Sequence, residues 1–235
     1  MSLARLNKVK KYYGDRLILD RDKLEIFDRD RIGLVGINGA GKTTLLRNII
    51  SKKEGIKVLD NVVIGYFDQS QKILDSNKTI LENILKDCSY DESFIMINLD
   101  GFGFKGDTVF KKVSLLSGGE KVKIALCKIL LSDNNLLILD EPTNYLDIKS
   151  MESLETALIN CNKTLLIVSH DRRFISNICD YIIEIKIHQL SWWYFLSPIR
   201  ACYLRCVLRR LNWSASRILL YLLPLKGSIY SFILI

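Results

Sequence analysis

No aspartate or glutamate follows Glu184. All 26 acidic residues of the 235-residue chain lie at or before that position, whereas seven of its 34 basic residues come after it. Residues 1–185 hold 27 basic against 26 acidic residues, so nearly all of the +8 formal charge belongs to the last fifty positions. That distribution argues against reading the folded part as a polyanion binder. The six cysteines, at 88, 127, 161, 179, 202 and 206, never form the close pairs of a zinc site or the dense framework of a small secreted domain. Reduced thiols in cytosol are the expectation. Met1 to Lys10 lacks the apolar core of a signal peptide and reads as the start of a strand, so a cytoplasmic location is expected. No internal repeat is visible, and the length suits one α/β domain with a buried core rather than two.

Short apolar, β-rich runs alternate with amphipathic stretches from residue 3 to about 185. That pattern predicts a mostly parallel sheet covered by helices, the α/β class. Strands are expected near 3–9, 22–27, 31–35, 62–67, 135–139, 164–168 and 181–185. Helices should start near Lys42, Thr79, Ser117, Ile148 and Arg172, and residues from about 70 to 132 should form a helical subdomain inserted into the sheet domain. The domain is placed at 1–185.

Residues 186–235 behave differently. They carry all three tryptophans, two of the three prolines and no acidic residue, where ordinary globular sequence would place roughly seven. Ile218 to Ile235 is largely apolar, which raises a membrane span, but Pro224, Lys226 and Gly227 interrupt it. A mid-span lysine costs about 2.5–3.5 kcal/mol, and the run barely reaches the ~20 residues needed. The preferred reading is an atypical, hydrophobic and basic tail out of register with the protein's history, for example through a shifted reading frame.

The chemistry lies in four motifs. Arg31-Ile-Gly-Leu-Val35 is an apolar strand that runs into Gly36-Ile-Asn-Gly-Ala-Gly-Lys-Thr43, followed by a helical pattern from Lys42 to Ile50. Strand, glycine loop and helix in that order form a phosphate-binding loop. The loop (Gly36, Asn38, Gly39, Gly41, with Thr44 just beyond it) offers backbone N–H groups to phosphates at a helix N-terminus. Lys42 supplies a point charge, and the Thr43 hydroxyl a ligand for Mg2+. Leu136-Leu-Ile-Leu-Asp140-Glu141 is an apolar strand ending in two carboxylates at the edge of the sheet where ligands bind. Asp140 is expected to hold Mg2+ through its water shell, and Glu141 to orient and deprotonate the attacking water. His170 follows the apolar run Thr164 to Val168 and reaches the same edge, suited to sensing the terminal phosphate.

Gln69, at the end of the strand Val62 to Phe67, is a candidate contact for Mg2+ and water. Ser117-Gly118-Gly119-Glu120 reads in two compatible ways. It is a capping box for a helix from Lys121 to Leu131, and it is an anion site for a γ-phosphate presented by a partner subunit. Tyr13, next to Tyr12, could stack on adenine, although a core or surface tyrosine is nearly as good a reading.

The order of these motifs resembles that of the ATP-binding cassette superfamily of P-loop NTPases, and three details resemble its ABC-F branch of ribosome-acting ATPases. These are Glu141-Pro-Thr-Asn-Tyr-Leu-Asp147, the Glu120-Lys121 that ends the signature, and Ser169-His-Asp-Arg-Arg-Phe174. The resemblance covers about residues 3–185 and is to the second cassette of such proteins. It implies that ATP and Mg2+ are the cofactors, and that two cassettes, in a homodimer or from another chain, meet head to tail. Each ATP then lies between one P-loop and the other cassette's signature, with Ser117 and Gly119 acting in trans and Asp147 coupling the two sites. It also implies work on the ribosome in translation or antibiotic resistance (ribosomal protection). Two features depart from the family. There is one cassette without a linker, and after Ile185 there is no turn such as Asp-Gly leading into a further strand. A truncated half is therefore expected. Two rivals share the chemistry in whole or part: the ATP-binding subunit of a membrane transporter, and a non-catalytic remnant.

Overall fold

Leu136 to Leu139 and Leu165 to Val168 are apolar without a break because the strands they form are covered on both faces. In the computed structural model, residues 2–13, 16–53, 56–68, 73–186, 189–196, 223–225 and 229–233 are described; for 5–24 and from 186 onward the description is of backbone. The strands are β1 (Ser2–Tyr13), β2 (Arg16–Phe27), β3 (Arg31–Gly36), β4 (Ile56–Val58), β5 (Ile64–Phe67), β6 (Leu136–Asp140), β7 (Thr164–Val168), β8 (Tyr181–Lys186), β9 (Gln189–Leu196), β10 (Leu223–Leu225) and β11 (Ile229–Ile233). The helices are α1 (Lys42–Ile50), α2 (Ile80–Leu85), α3 (Glu92–Gly101), α4 (Gly118–Leu131), α5 (Ile148–Asn160) and α6 (Arg172–Ile178).

One sheet has the order β10-β11-β9-β8-β3-β7-β6-β5, and within it β8, β3, β7, β6 and β5 are mutually parallel. The strand that leads into the glycine loop, β3, lies inside the sheet between β8 and β7. Period-2 alternation divides the side chains between two cores. Ile32, Leu34, Leu136, Ile138, Leu166 and Val168 pack on one face with Leu45, Leu46 and Ile49 of α1. Leu137, Leu139, Leu165 and Ile167 face the other way, onto α4, α5, α6 and the helices between β5 and β6. A smaller antiparallel sheet, β2-β1-β4, adds Leu3, Ala4, Ile26 and Ile56 to the α1 side.

The chain between β5 and β6 holds α2, α3 and α4 with two short 3-10 turns. Strand β4 escapes the sequence reading because three residues are too few to show a period, and α3 has no separately expected start. The expected boundary at residue 185 does not mark the end of the sheet. Although the turn chemistry after Ile185 is missing, β9 folds back antiparallel on β8, with Lys186 opposite Gln189 and Tyr181 opposite Tyr194. Trp192, Trp193, Tyr194 and Phe195 give that run high β propensity.

Arg31, at the foot of β3, donates to the carbonyls of Leu158, Ile159 and Cys161 at 2.9, 2.8 and 2.9 Å, and so closes the C-terminus of α5. Cys88, Cys127 and Cys161 are free thiols, and burial pushes the Cys127 thiol far up, which keeps it protonated and inert. Among the described residues, no helix is long and apolar enough to cross a membrane, and no group of three metal-ligating side chains gathers.

Candidate functional site

The loop between β3 and α1 turns on glycine. Gly39 and Gly41 have φ of 77° and 98°, in the left-handed region that L side chains rarely adopt. A Cβ on Gly36 would lie 2.6 Å from the Ile185 carbonyl oxygen, so the loop leaves β3 pressed against β8. Helix α1 starts at Gly41 with no side chain capping its first turn. Every other α-helix of the described residues has one: Thr79, Asp91, Ser117, Asp147 or Asp171. The N–H groups at the start of α1 thus face the loop uncommitted, the arrangement an anion fills.

Lys42 is buried and curls back, donating from Nζ to the Gly36 and Ile37 carbonyls at 2.7 and 3.3 Å. Thr43 Oγ1 donates to Asp140 Oδ2 at 2.9 Å, joining α1 to the end of β6. Burial pushes the Asp140 carboxyl above its ordinary range, against the opposing pull of the Thr43 hydrogen bond and the Lys42 and Arg47 charges. Glu141 has φ of 52°, a strained value for a residue with a side chain, and its N–H is fixed to the Val168 carbonyl at 2.9 Å. That backbone turns the Glu141 carboxylate toward His170. Its Oε2 accepts from the His170 backbone N–H at 3.3 Å, and its Oε1 lies 3.4 Å from His170 Nε2. Oε1 is buried and has no donor in hydrogen-bond geometry.

These groups converge on one cavity of about 480 Å³, lined by the loop residues Asn38, Gly39 and Gly41, by Lys42, Thr43 and Thr44, and across from them by Asp140, Glu141, Val168 and His170. A hydroxyl and a carboxylate 2.9 Å apart, beside an orphaned carboxylate oxygen, form a hard-oxygen donor set that fits Mg2+. The lysine and free N–H groups opposite fit a polyphosphate.

The signature lies elsewhere. Ser117 and Gly118, exposed, and Gly119, half-buried, form the N-terminus of α4 and do not line the cavity. The capping box is complete: Glu120 N–H donates to Ser117 Oγ at 3.3 Å, and Glu120 Oε2 accepts from Ser117 N and Oγ at 2.8 and 2.6 Å. The Ser117 hydroxyl and N–H hold the Glu120 carboxyl below its ordinary range. A Cβ on Gly118 or Gly119 would meet nothing within 4 Å, so this helix end is open.

Asp147 is exposed and caps α5 by accepting from Ser150 N–H at 2.8 Å. It also accepts from Lys123 Nζ of α4 at 2.8 Å, and this ammonium foremost holds its carboxyl well below the ordinary range. Gln69 lies outside the described residues, as does the side chain of Tyr13, whose backbone ends β1. Two residues escape the sequence reading: Lys123, which only the fold brings to Asp147, and Tyr66. The signal for Tyr66 is a polar tip in an otherwise apolar strand whose end was singled out for Gln69.

Residues 19–144 match the family model described as ABC transporter. The chain is 38% identical over 195 residues to ABC transporter F family member 5 of Arabidopsis thaliana, covering 79% of this chain and 28% of that protein. It is 46% identical over 158 residues to the putative ATP-binding protein YdiF of Bacillus subtilis, covering 65% of this chain and 25% of the relative. The chain therefore spans between a quarter and three tenths of these relatives' length. Among solved structures it resembles the archaeal ribosome recycling factor, determined in complex with a ribosomal stalk protein, at a TM-score of 0.67 and 27% identity over 84% of this chain and 37% of that one.

Proposed function

The chain belongs to the ABC transporter family, with F-family members among its relatives, and from that premise we propose that it is an Mg2+-dependent ATPase cassette which pairs with a second cassette and works on the ribosome in the cytoplasm. The observation that carries the pairing is the separation of the two halves of the site. The phosphate end is assembled in one cavity, whereas the signature at Ser117 to Glu120 sits on an open helix end outside it. A partner's signature would complete the cavity, and this chain's would complete the partner's.

In this reading, the N–H groups of the loop from Gly36 to Gly41 and the start of α1 hold the phosphates. Lys42 exchanges its hold on the Gly36 and Ile37 carbonyls for the β/γ-phosphates. Thr43 and Asp140, with Gln69, hold Mg2+, which when bound neutralises charge on the transferred phosphoryl group. Glu141 accepts the proton of the attacking water at its orphaned Oε1, and the His170 backbone keeps the carboxylate turned into the cavity. Tyr13 offers a face to adenine.

The ribosomal part of the proposal is supported by likeness to the ribosome recycling factor and by the run from Glu141 to Asp147. Translation, or protection of the ribosome from antibiotics, is the work this suggests. The test is sedimentation of the Glu141→Gln protein with Mg2+-ATP, with and without ribosomes. The expected result is an ATP-dependent dimer that pellets with ribosomes. An ATP-binding monomer that ignores them would overturn the pairing and the ribosomal role together.

A further inference from the structure

Strands β5 and β6 run in parallel register with Tyr66 opposite Ile138. Because side chains alternate, Ile138 and Asp140 share a face of the sheet, and Tyr66 shares it with them. Tyr66 packs against the α1-side core, in which Ile138 and Leu136 are buried. Its ring therefore lies beneath the same α1 whose Thr43 binds Asp140.

The hydroxyl at the end of that ring is buried and, among the described residues, its proton has no acceptor. Burial raises its pKa, and the Asp140 and Asp68 charges raise it further. The Arg47 guanidinium pulls the other way, by a hydrogen-bond contact and by its charge, but arginine can only donate. Asp140 is short of partners in the complementary sense. An ionised carboxylate offers about four lone-pair sites, and Thr43 Oγ1 is the one protein donor it receives among the described residues. An idle donor and an under-used acceptor thus lie on one face of adjacent strands, near enough for the Asp140 charge to be felt at the hydroxyl.

A buried hydroxyl left unpaired costs stability, and a tyrosine whose only use was to fill the core would serve as well without its oxygen. We propose that Tyr66 is a positioning residue for Asp140, its hydroxyl steadying that carboxylate when the pocket takes up Mg2+ and nucleotide. The inference rests on the reading of the pocket as an Mg2+-ATP site.

The experiment is Tyr66→Phe in the full chain, which removes one oxygen and leaves the packing. Two quantities are read: melting temperature without ligand, and affinity for a fluorescent ATP analogue in Mg2+ and in EDTA. The ligand-free variant is expected to melt at or above the temperature of the unsubstituted chain, while the gain in affinity from Mg2+ falls about three- to ten-fold, the range of one hydrogen bond. An equal Mg2+ gain in both proteins would overturn the positioning role. So would a lower melting temperature with parallel losses in Mg2+ and EDTA, because the hydroxyl would then be structural. If the unsubstituted chain itself shows no Mg2+-dependent binding, the reading of the site fails and the inference falls with it.

Discussion

Two helices begin near the chemistry of this molecule, and they begin in opposite ways. Helix α1 starts at Gly41 with no side-chain cap, and it faces a carboxylate oxygen of Glu141 that is buried without a donor. Helix α4 starts at Ser117 with a full capping box, and Ser117 and Glu120 satisfy one another. One end is left incomplete within the fold, in need of a ligand. The other is complete as structure and open above its two glycines. Unsatisfied polar groups mark the end that needs a ligand, whereas a self-satisfied end can be stable alone and still stand open to a phosphate brought by a partner.

The largest effect that would sharpen this contrast is at the incomplete end. Glu141→Gln should lower hydrolysis about 10²–10⁴-fold while retaining nucleotide binding, since it removes the base and keeps the shape; a single-turnover assay beside a binding titration checks both, and an unchanged rate would remove Glu141 from the role. Next, Lys42→Ala should weaken nucleotide binding by about 10- to 100-fold, the range of a charge-assisted hydrogen bond. Equal affinity would mean that the lysine never leaves the Gly36 and Ile37 carbonyls.

At the complete end a smaller effect of a different kind is expected. Ser117→Ala should cost about 1 kcal/mol of stability, a fall of about 2–4 °C in a chain of this size, without altering nucleotide affinity of the monomer's own cavity. A loss of that affinity would break the contrast, because it would put Ser117 in the cavity of its own chain. The smallest effect concerns Asp140. Its carboxyl is pushed up in the fold, so the ionised form costs the ligand-free fold something at neutral pH. The favourable contribution is complete below the unfolded pKa and is lost as pH rises through the folded one. Asp140→Asn should therefore melt slightly higher than the unsubstituted chain at pH 7, with the difference vanishing as pH falls below the ordinary carboxylate range; a melting series from pH 3 to 8 checks it.

The phosphate end is legible in the sequence because its chemistry uses contiguous residues. Gly36 to Thr43 must be glycine-rich, must carry Lys42 and must follow a strand, and no tertiary knowledge is needed to see it. Asp140, Glu141 and His170 are legible for a related reason, since each stands just past an apolar run that the sheet buries. Lys123 is not, because its meaning depends on a neighbour from another element, Asp147, 24 residues on; the role proposed for Tyr66 depends in the same way on Asp140 across a strand pair. In the fold, the parallel core strands are legible from their apolar runs, whereas β4 is too short to show a period. The pairing of β8 with β9 is hidden because the two residues between them, Ile187 and His188, are not the usual turn formers.

Arg31 gives the molecule a mechanical asymmetry. Its three carbonyl contacts pin the far end of α5 to the root of the strand that feeds the phosphate loop, while the near end starts at exposed Asp147. Across its 13 residues the helix is a stiff rod of about 20 Å. Leu154 and Leu158 seat the rod in the core between these ends, so a displacement at Asp147 would be felt, through the rod and the guanidinium, at the strand that carries the phosphate loop.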